Sequence, residues 1–179
     1  KAGKGYDFEV NATKDGDGLS SGYDANSSQY ALGLVVTRYM PDGSVNNSLY
    51  GNANLSTFTF TDGNSSNVNI SYSDVGKVNL HLEDRDWASV DSDDTPLDCS
   101  GMYICGETNT TYIPSHFTLQ NSKVVNDDNL SFTYFSSDLD MSAKLDVKVI
   151  AKNDKNEIVK NFDSASWENG VTLDFQVST

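Results

Sequence analysis

The chain has 179 residues, a formal net charge of −14, 37% hydrophobic residues and two cysteines. Such an acid excess argues against binding a nucleic-acid backbone or an anionic membrane surface, since both need a cationic patch, and no apolar run approaches the roughly 18–20 residues of a spanning helix. The length suffices for one large domain or two small ones without a disulfide scaffold. With no signal peptide visible and Lys1 in place of Met, the sequence reads as an excised piece of a longer, exported chain.

Alternation with period two dominates, and no long helical period is present. Phe8, Val10 and Ala12 alternate with Glu9 and Asn11 before the turn-forming "KDGDG". Tyr30 to Tyr39 is nearly continuously apolar, as in a central strand, and ends at Pro41 in "PDGS". Leu55 to Phe60, Val68 to Tyr72 and Lys77 to Leu82 follow as short strands. Next comes a long interruption, Asp84 to Thr111, acidic and holding both cysteines, then strands at His116 to Leu119, Leu130 to Tyr134, Leu145 to Ala151 and Val171 to Val177. Short strands rich in Val, Thr, Phe and Tyr, separated by Gly, Asn, Asp and Ser, predict an all-β chain, an antiparallel sandwich of immunoglobulin-like type.

The stretch "DFEVNATKDGDGLSSGYD" (Asp7 to Asp24) returns without a gap as "DVKVIAKNDKNEIVKNFD" (Asp146 to Asp163), with Asp, Val, Ala, Asp and Asp at matching places, Leu19 over Ile158 and Tyr23 over Phe162. The repeat predicts tandem modules: 1–112 as a β-sandwich with a long acidic loop over 84–111, and 113–179 as a second module or its opening strands. The alternative is two ordinary hairpins that resemble one another, since strand alternation makes such matches easy.

Cys99 and Cys105 are close enough in sequence for a disulfide that stabilises by about 2 kcal/mol and pins a local loop; two free thiols are the alternative. A zinc site lacks ligands, because His81 and His116 lie in unrelated strand patterns where a structural role is expected. An acidic residue two before Asn and Ser or Thr two after it occurs at Asn11, Asn26, Asn64, Asn109 and Asn129, five of the eighteen asparagines. That pattern resembles the acceptor sequon of bacterial N-linked glycosylation, which implies periplasmic or surface exposure. Four of the five fall at expected turns or loops. Drift in an Asn-, Asp- and Ser-rich chain and the simpler eukaryotic sequon are the competing readings.

From Thr13, a partial calcium-loop register places Asp15, Asp17 and Asp24 at ligand positions, with Thr13 where the first Asp belongs and Asp24 in place of a bidentate Glu. Glu83, Asp84 and Asp86 with Asp91, Asp93 and Asp94 form a second candidate calcium cluster; a solvated acidic surface accounts for both equally simply. Catalytic signatures are missing: no Ser-centred elbow, no His pair at metal spacing and no Gly-rich phosphate loop. Carboxylates this common carry no specificity for glycoside hydrolysis. Trp87 is the candidate for stacking on a sugar, beside the bland reading of Trp167 and the tyrosines as core or cross-strand pairs.

"SYSDVGKVNLHLEDRDW", "YIPSHFTL" and "SFTYFSSDLDMSAKLDVKVIAKNDKNEIVKNF" resemble a β-rich region of large bacterial surface proteins associated with the mannose-sensitive haemagglutinin type IV pilus, the pilus biogenesis Q family. The matching pieces are Val75-Gly76, Asp86-Trp87, Pro114 with Phe117, Phe132-Thr133-Tyr134, and Ala151 through Phe162. Trp87 stands where that pattern has tyrosine. The resemblance spans Ser71 to Phe162 and implies export, surface or pilus association and no enzymatic activity. The expectation is therefore a non-catalytic, glycosylated module at a bacterial cell surface, exported through the periplasm and not inserted in the membrane. It would contact a host or cell-surface receptor, a glycan or pilus subunits, with the acidic loop as its binding face. A calcium-stiffened spacer and a carbohydrate-active domain using loop carboxylates are the alternatives.

Overall fold

The computed structural model describes residues 1–14, 18–24, 32–65, 67–84, 104–126 and 143–163. Among these residues there is no helix. The strands are β1 (Gly5–Phe8), β2 (Leu32–Tyr39), β3 (Ala53–Leu55), β4 (Phe60–Thr61), β5 (Asn64–Ser65), β6 (Val68–Tyr72), β7 (Gly76–Asp84), β8 (Ile104–Tyr112), β9 (His116–Asn126) and β10 (Ala143–Lys152). One antiparallel sheet has the order β1-β6-β3 and another β2-β7-β8, while β9 and β10 form a ribbon and β4 and β5 a small hairpin.

Alternation explains how the two three-stranded sheets share a core. On β6, Val68, Ile70 and Tyr72 are buried while Asn69 and Ser71 are not, and on β7 Val78 and Leu80 are buried with Leu82 beside them. These residues meet Phe58, Phe60, Tyr23 and Tyr112 in one cluster, with Tyr6, Phe8, Val10, Leu34 and Val36 packed around it. Edge-to-face rings consolidate it, Tyr23 on Phe60 at 4.9 Å and Phe58 on Phe60 at 5.6 Å between centroids. The β4–β5 turn uses Asp62 (φ 52°) and Gly63 (φ 81°), both left-handed, as a two-residue hairpin loop on twisted strands requires.

Three strand expectations need correction. The apolar stretch ending at Tyr39 is not central among the described strands: β7 lies between β2 and β8, and Val35 is 42% exposed. Leu55 to Phe60 is not one strand. The ladder with β6 ends after Leu55, where the Ser56 hydroxyl accepts the Asn69 N–H, and the chain bends before β4. Asp84 to Thr111 is not one loop, because β7 runs through Asp84 and Ile104 to Thr111 belong to β8, paired in register from Gly76 with Tyr112 to Asp84 with Ile104. β8 escaped the pattern because Gly106, Thr108 and Thr110 precede Tyr112 on one side without an apolar side chain. The expected strands at Leu130 to Tyr134 and Val171 to Val177 lie outside the described residues.

The sequence repeat has a backbone counterpart. Thr13 faces Leu19 across an isolated bridge, and Lys152 faces Ile158 in the same way. Lys14 N–H donates to Gly18 C=O at 2.8 Å, as Asn153 does to Glu157 at 2.9 Å. Ser20 donates to Ala12 at 2.9 Å, as Val159 does to Ala151 at 3.2 Å. In each copy a strand is thus bonded back to a short return segment by the same pair of backbone contacts.

Candidate functional site where the second repeat copy meets the β6–β7 turn

The turn from β6 to β7, Ser73 to Val75, meets the turn of the second repeat copy, Asn153 to Phe162. Asp74, 5% exposed, accepts N–H groups from both sides: from Val75 at 2.8 Å, from Asn161 at 3.1 Å, and from Lys160 at 2.9 and 3.1 Å to its two oxygens. A buried carboxylate costs little only when its lone pairs are filled, and here backbone donors fill them. Asn161, 2% exposed, returns the grip: its Oδ1 accepts Tyr50 N–H at 2.8 Å, and its Nδ2 donates to Tyr50 C=O at 2.7 Å and Val75 C=O at 3.1 Å.

Asn153, 1% exposed, completes the polar part. Its Nδ2 donates to Ser73 C=O at 3.1 Å and to Glu157 at 2.8 Å, and its Oδ1 accepts the Lys155 and Glu157 N–H groups, which fixes the turn that holds it. Ala2 sits in the seam, donating to Ile113 C=O and accepting from Asp154 N–H, each at 2.8 Å. Ala2, Val75, Ala151, Val159 and Phe162 pack as a second apolar cluster, and the Lys160 ammonium lies 4.8 Å from the Tyr50 ring centroid. This arrangement can hold the second repeat copy in one orientation against the β6–β7 turn and the Tyr50 segment.

The expected glycosylation positions within the described residues are exposed. Asn11 and Asn64 face each other as bridge partners, and the Asn11 amide donates to Glu9 at 3.0 Å. Asn64 opens β5 and Asn109 lies within β8, so both stand on strands where turn or loop positions were expected; Asn79 donates weakly to Asn109 at 3.4 Å.

Of the acidic candidates, Asp24, Glu83 and Asp84 lie within the described residues. Among the described residues no group of three or more His, Cys, Asp or Glu is placed to hold a metal ion. Asp24 caps the β4–β5 turn, accepting Asp62 N–H at 2.8 Å. Glu83 sits 3.2 Å from His81 on β7, and the buried Asp84 accepts the Tyr23 hydroxyl. Asp15, Asp17, Asn26, Asp86, Trp87, Asp91, Asp93, Asp94, Cys99 and Asn129 lie outside the described residues. Cys105 begins β8 as its second residue and is not a free thiol.

Burial pushes the Tyr112 phenol up to about 12, with Tyr6 adding to it, and its hydroxyl has no hydrogen-bond partner among the described residues. Burial likewise raises Tyr72, partly offset by the Arg38 guanidinium that donates to it at 3.2 Å. Asp42 is held below the usual carboxylate range by the Ser44 hydroxyl and N–H.

Asp74, Asn153 and Asn161 were not singled out from the sequence, where they read as ordinary turn residues. One signal was available: aligning the copies places Asn153 over Lys14 and Asn161 over Gly22, so the second turn gains two amides that the first lacks. No protein-family model matches the chain, and no curated protein or solved structure gives a match.

Proposed function

We propose that the chain is a non-catalytic surface module of a large exported bacterial protein, acting in adhesion or pilus-associated attachment. The observation that carries this reading is the joint, where buried Asp74, Asn153 and Asn161 fasten the second repeat copy to the β6–β7 turn. A protein that projects a binding face from a surface needs units that do not hinge freely, and a joint with filled polar groups supplies that stiffness.

The strand order supports the immunoglobulin-like reading. β1-β6-β3 facing β2-β7-β8 corresponds to the B-E-D and C-F-G sheets of that architecture, with β9 and β10 as the opening strands of a second module. Resemblance to the pilus biogenesis Q region, the acidic surface and the exposed Asn11, Asn64 and Asn109 point to the same setting. A Cys99–Cys105 bridge belongs to this proposal, as do glycans on the sequons.

Beads coated with the full chain and passed under flow over cells and immobilised glycans test the reading. Retention that falls in the Asp74→Ala variant is expected. No retention on any surface, together with release of sugar from the glycans, would replace attachment by a carbohydrate-active role.

A further inference from the structure

We propose that the edge of β1 left unpaired among the described residues is a strand-addition site, which takes an extended segment of the kind that β9 represents, running antiparallel to β1. β1 and β8 are outer strands of their sheets among the described residues. Between their edges lies a hollow of about 310 Å³ with Phe8, Val10, Leu34, Ile70, Leu80 and Leu82 as its apolar lining. The neighbours of the edge reflect the gap: Tyr6, Phe8 and Val10 are only partly buried, whereas Val68, Ile70 and Tyr72 on the adjacent β6 are buried.

Backbone parity shows which groups are offered. Val10 C=O accepts Ser65 N–H at 3.1 Å and Ala12 N–H donates to Gly63 C=O at 2.8 Å, so even-numbered residues face the β6 side. Asp7, Glu9 and Asn11 therefore turn their N–H and C=O groups outward, a row suited to pairing with a further strand.

The repeat identifies the occupant. β10 is the second copy's equivalent of β1, and it is paired with β9 along its length. In that pairing Lys123 lies opposite Asp146, 3.7 Å from its carboxylate, and Asp146 is the equivalent of Asp7. Phe117 and Leu119 of β9 stand opposite Ala151 and Val149, the equivalents of Ala12 and Val10, so a β9-like strand on β1 would direct two apolar side chains toward the hollow. The rim carries Asp7, Glu9 and Glu107, and β9 has no acidic residue but one lysine, which matches it in charge. This inference does not depend on whether the chain acts in attachment.

The test uses the full 179-residue chain and a synthetic peptide with the β9 sequence, HFTLQNSKVVN, with a scrambled peptide as control. Amide exchange at Asp7, Glu9 and Asn11 is expected to be fast in the free chain and slowed by the β9 peptide alone. Glu9→Pro removes one outward N–H and leaves the β6-facing groups of Phe8 and Val10 in place, and it is expected to weaken binding about tenfold. Asp7→Lys, an exposed change, serves if the proline variant fails to fold, and it should weaken the peptide as well. Amides already protected in the free chain would mean that the chain itself fills the edge, and the proposal fails. Failure to bind at millimolar peptide, or binding unchanged in a folded variant, overturns it equally.

Discussion

Asn161→Ala is the sharpest probe of the joint. The substitution deletes one acceptor and two donor contacts, to Tyr50 N–H, Tyr50 C=O and Val75 C=O, at 2.8, 2.7 and 3.1 Å. A net hydrogen bond contributes about 1 kcal/mol, and a buried partner left unsatisfied adds to the loss. Val75 is buried, whereas Tyr50 is exposed and water replaces part of what its backbone loses. The expected destabilisation is about 3 kcal/mol, or roughly 6–12 °C in melting temperature for a chain of this size. Asn161→Asp should cost at least as much, because it turns an acceptor oxygen toward two carbonyls and places a second carboxylate beside Asp74. Asn54→Ala, on the exposed side of β3, is the control and should stay within about 0.5 kcal/mol. Calorimetry and guanidinium unfolding read the difference. A loss for Asn161→Ala no larger than that of the control would refute the claim that these contacts hold the second repeat copy against the β6–β7 turn.

Three further outcomes follow from named atoms. Tyr112 has its folded pKa raised to about 12 against an ordinary value of 10.0, so its stabilising contribution is complete below about pH 10 and is lost as pH rises through about 12. Tyr112→Phe should flatten that alkaline loss and, by removing a buried hydroxyl without a partner among the described residues, leave stability at pH 7 equal or higher; denaturant midpoints at pH 8 and pH 11 for both proteins decide it. Gly51→Ala should destabilise by about 2–3 kcal/mol, because φ is 114° and an added Cβ would lie 2.3 Å from the Tyr72 ring; a thermal melt within 1 °C of the parent contradicts this. Intact mass and peptide mapping of the segment from its native host should show increments on Asn11, Asn64 or Asn109, and an unmodified mass reduces the sequons to composition.

Strand existence was legible where one face is apolar. Val68 to Tyr72 was located to the residue; Lys77 to Leu82, His116 to Leu119 and Leu145 to Ala151 were found but short, β7 because Gly76, Glu83 and Asp84 at its ends lack an apolar side chain and β9 because the polar run Gln120 to Lys123 interrupts the pattern before Val124 and Val125. β8 was read as loop for the same reason: a ladder of N–H and C=O groups needs no hydrophobic pattern when the partner strand supplies the register. The joint was not legible, since Asp74 reads as a turn residue until the second repeat copy is brought against it.

By itself, the sequence determined an acidic chain with alternating strands and a repeated strand-turn pattern, because charge, side-chain alternation and turn chemistry are local properties written residue by residue. Only the tertiary structure decided which strands are outer among the described residues, β1 and β8 with them, and that Asn153 and Asn161 are buried against Ser73, Tyr50 and Val75. Those are relations between segments far apart in the chain, and burial is a property of what the fold brings to a residue and not of the residue.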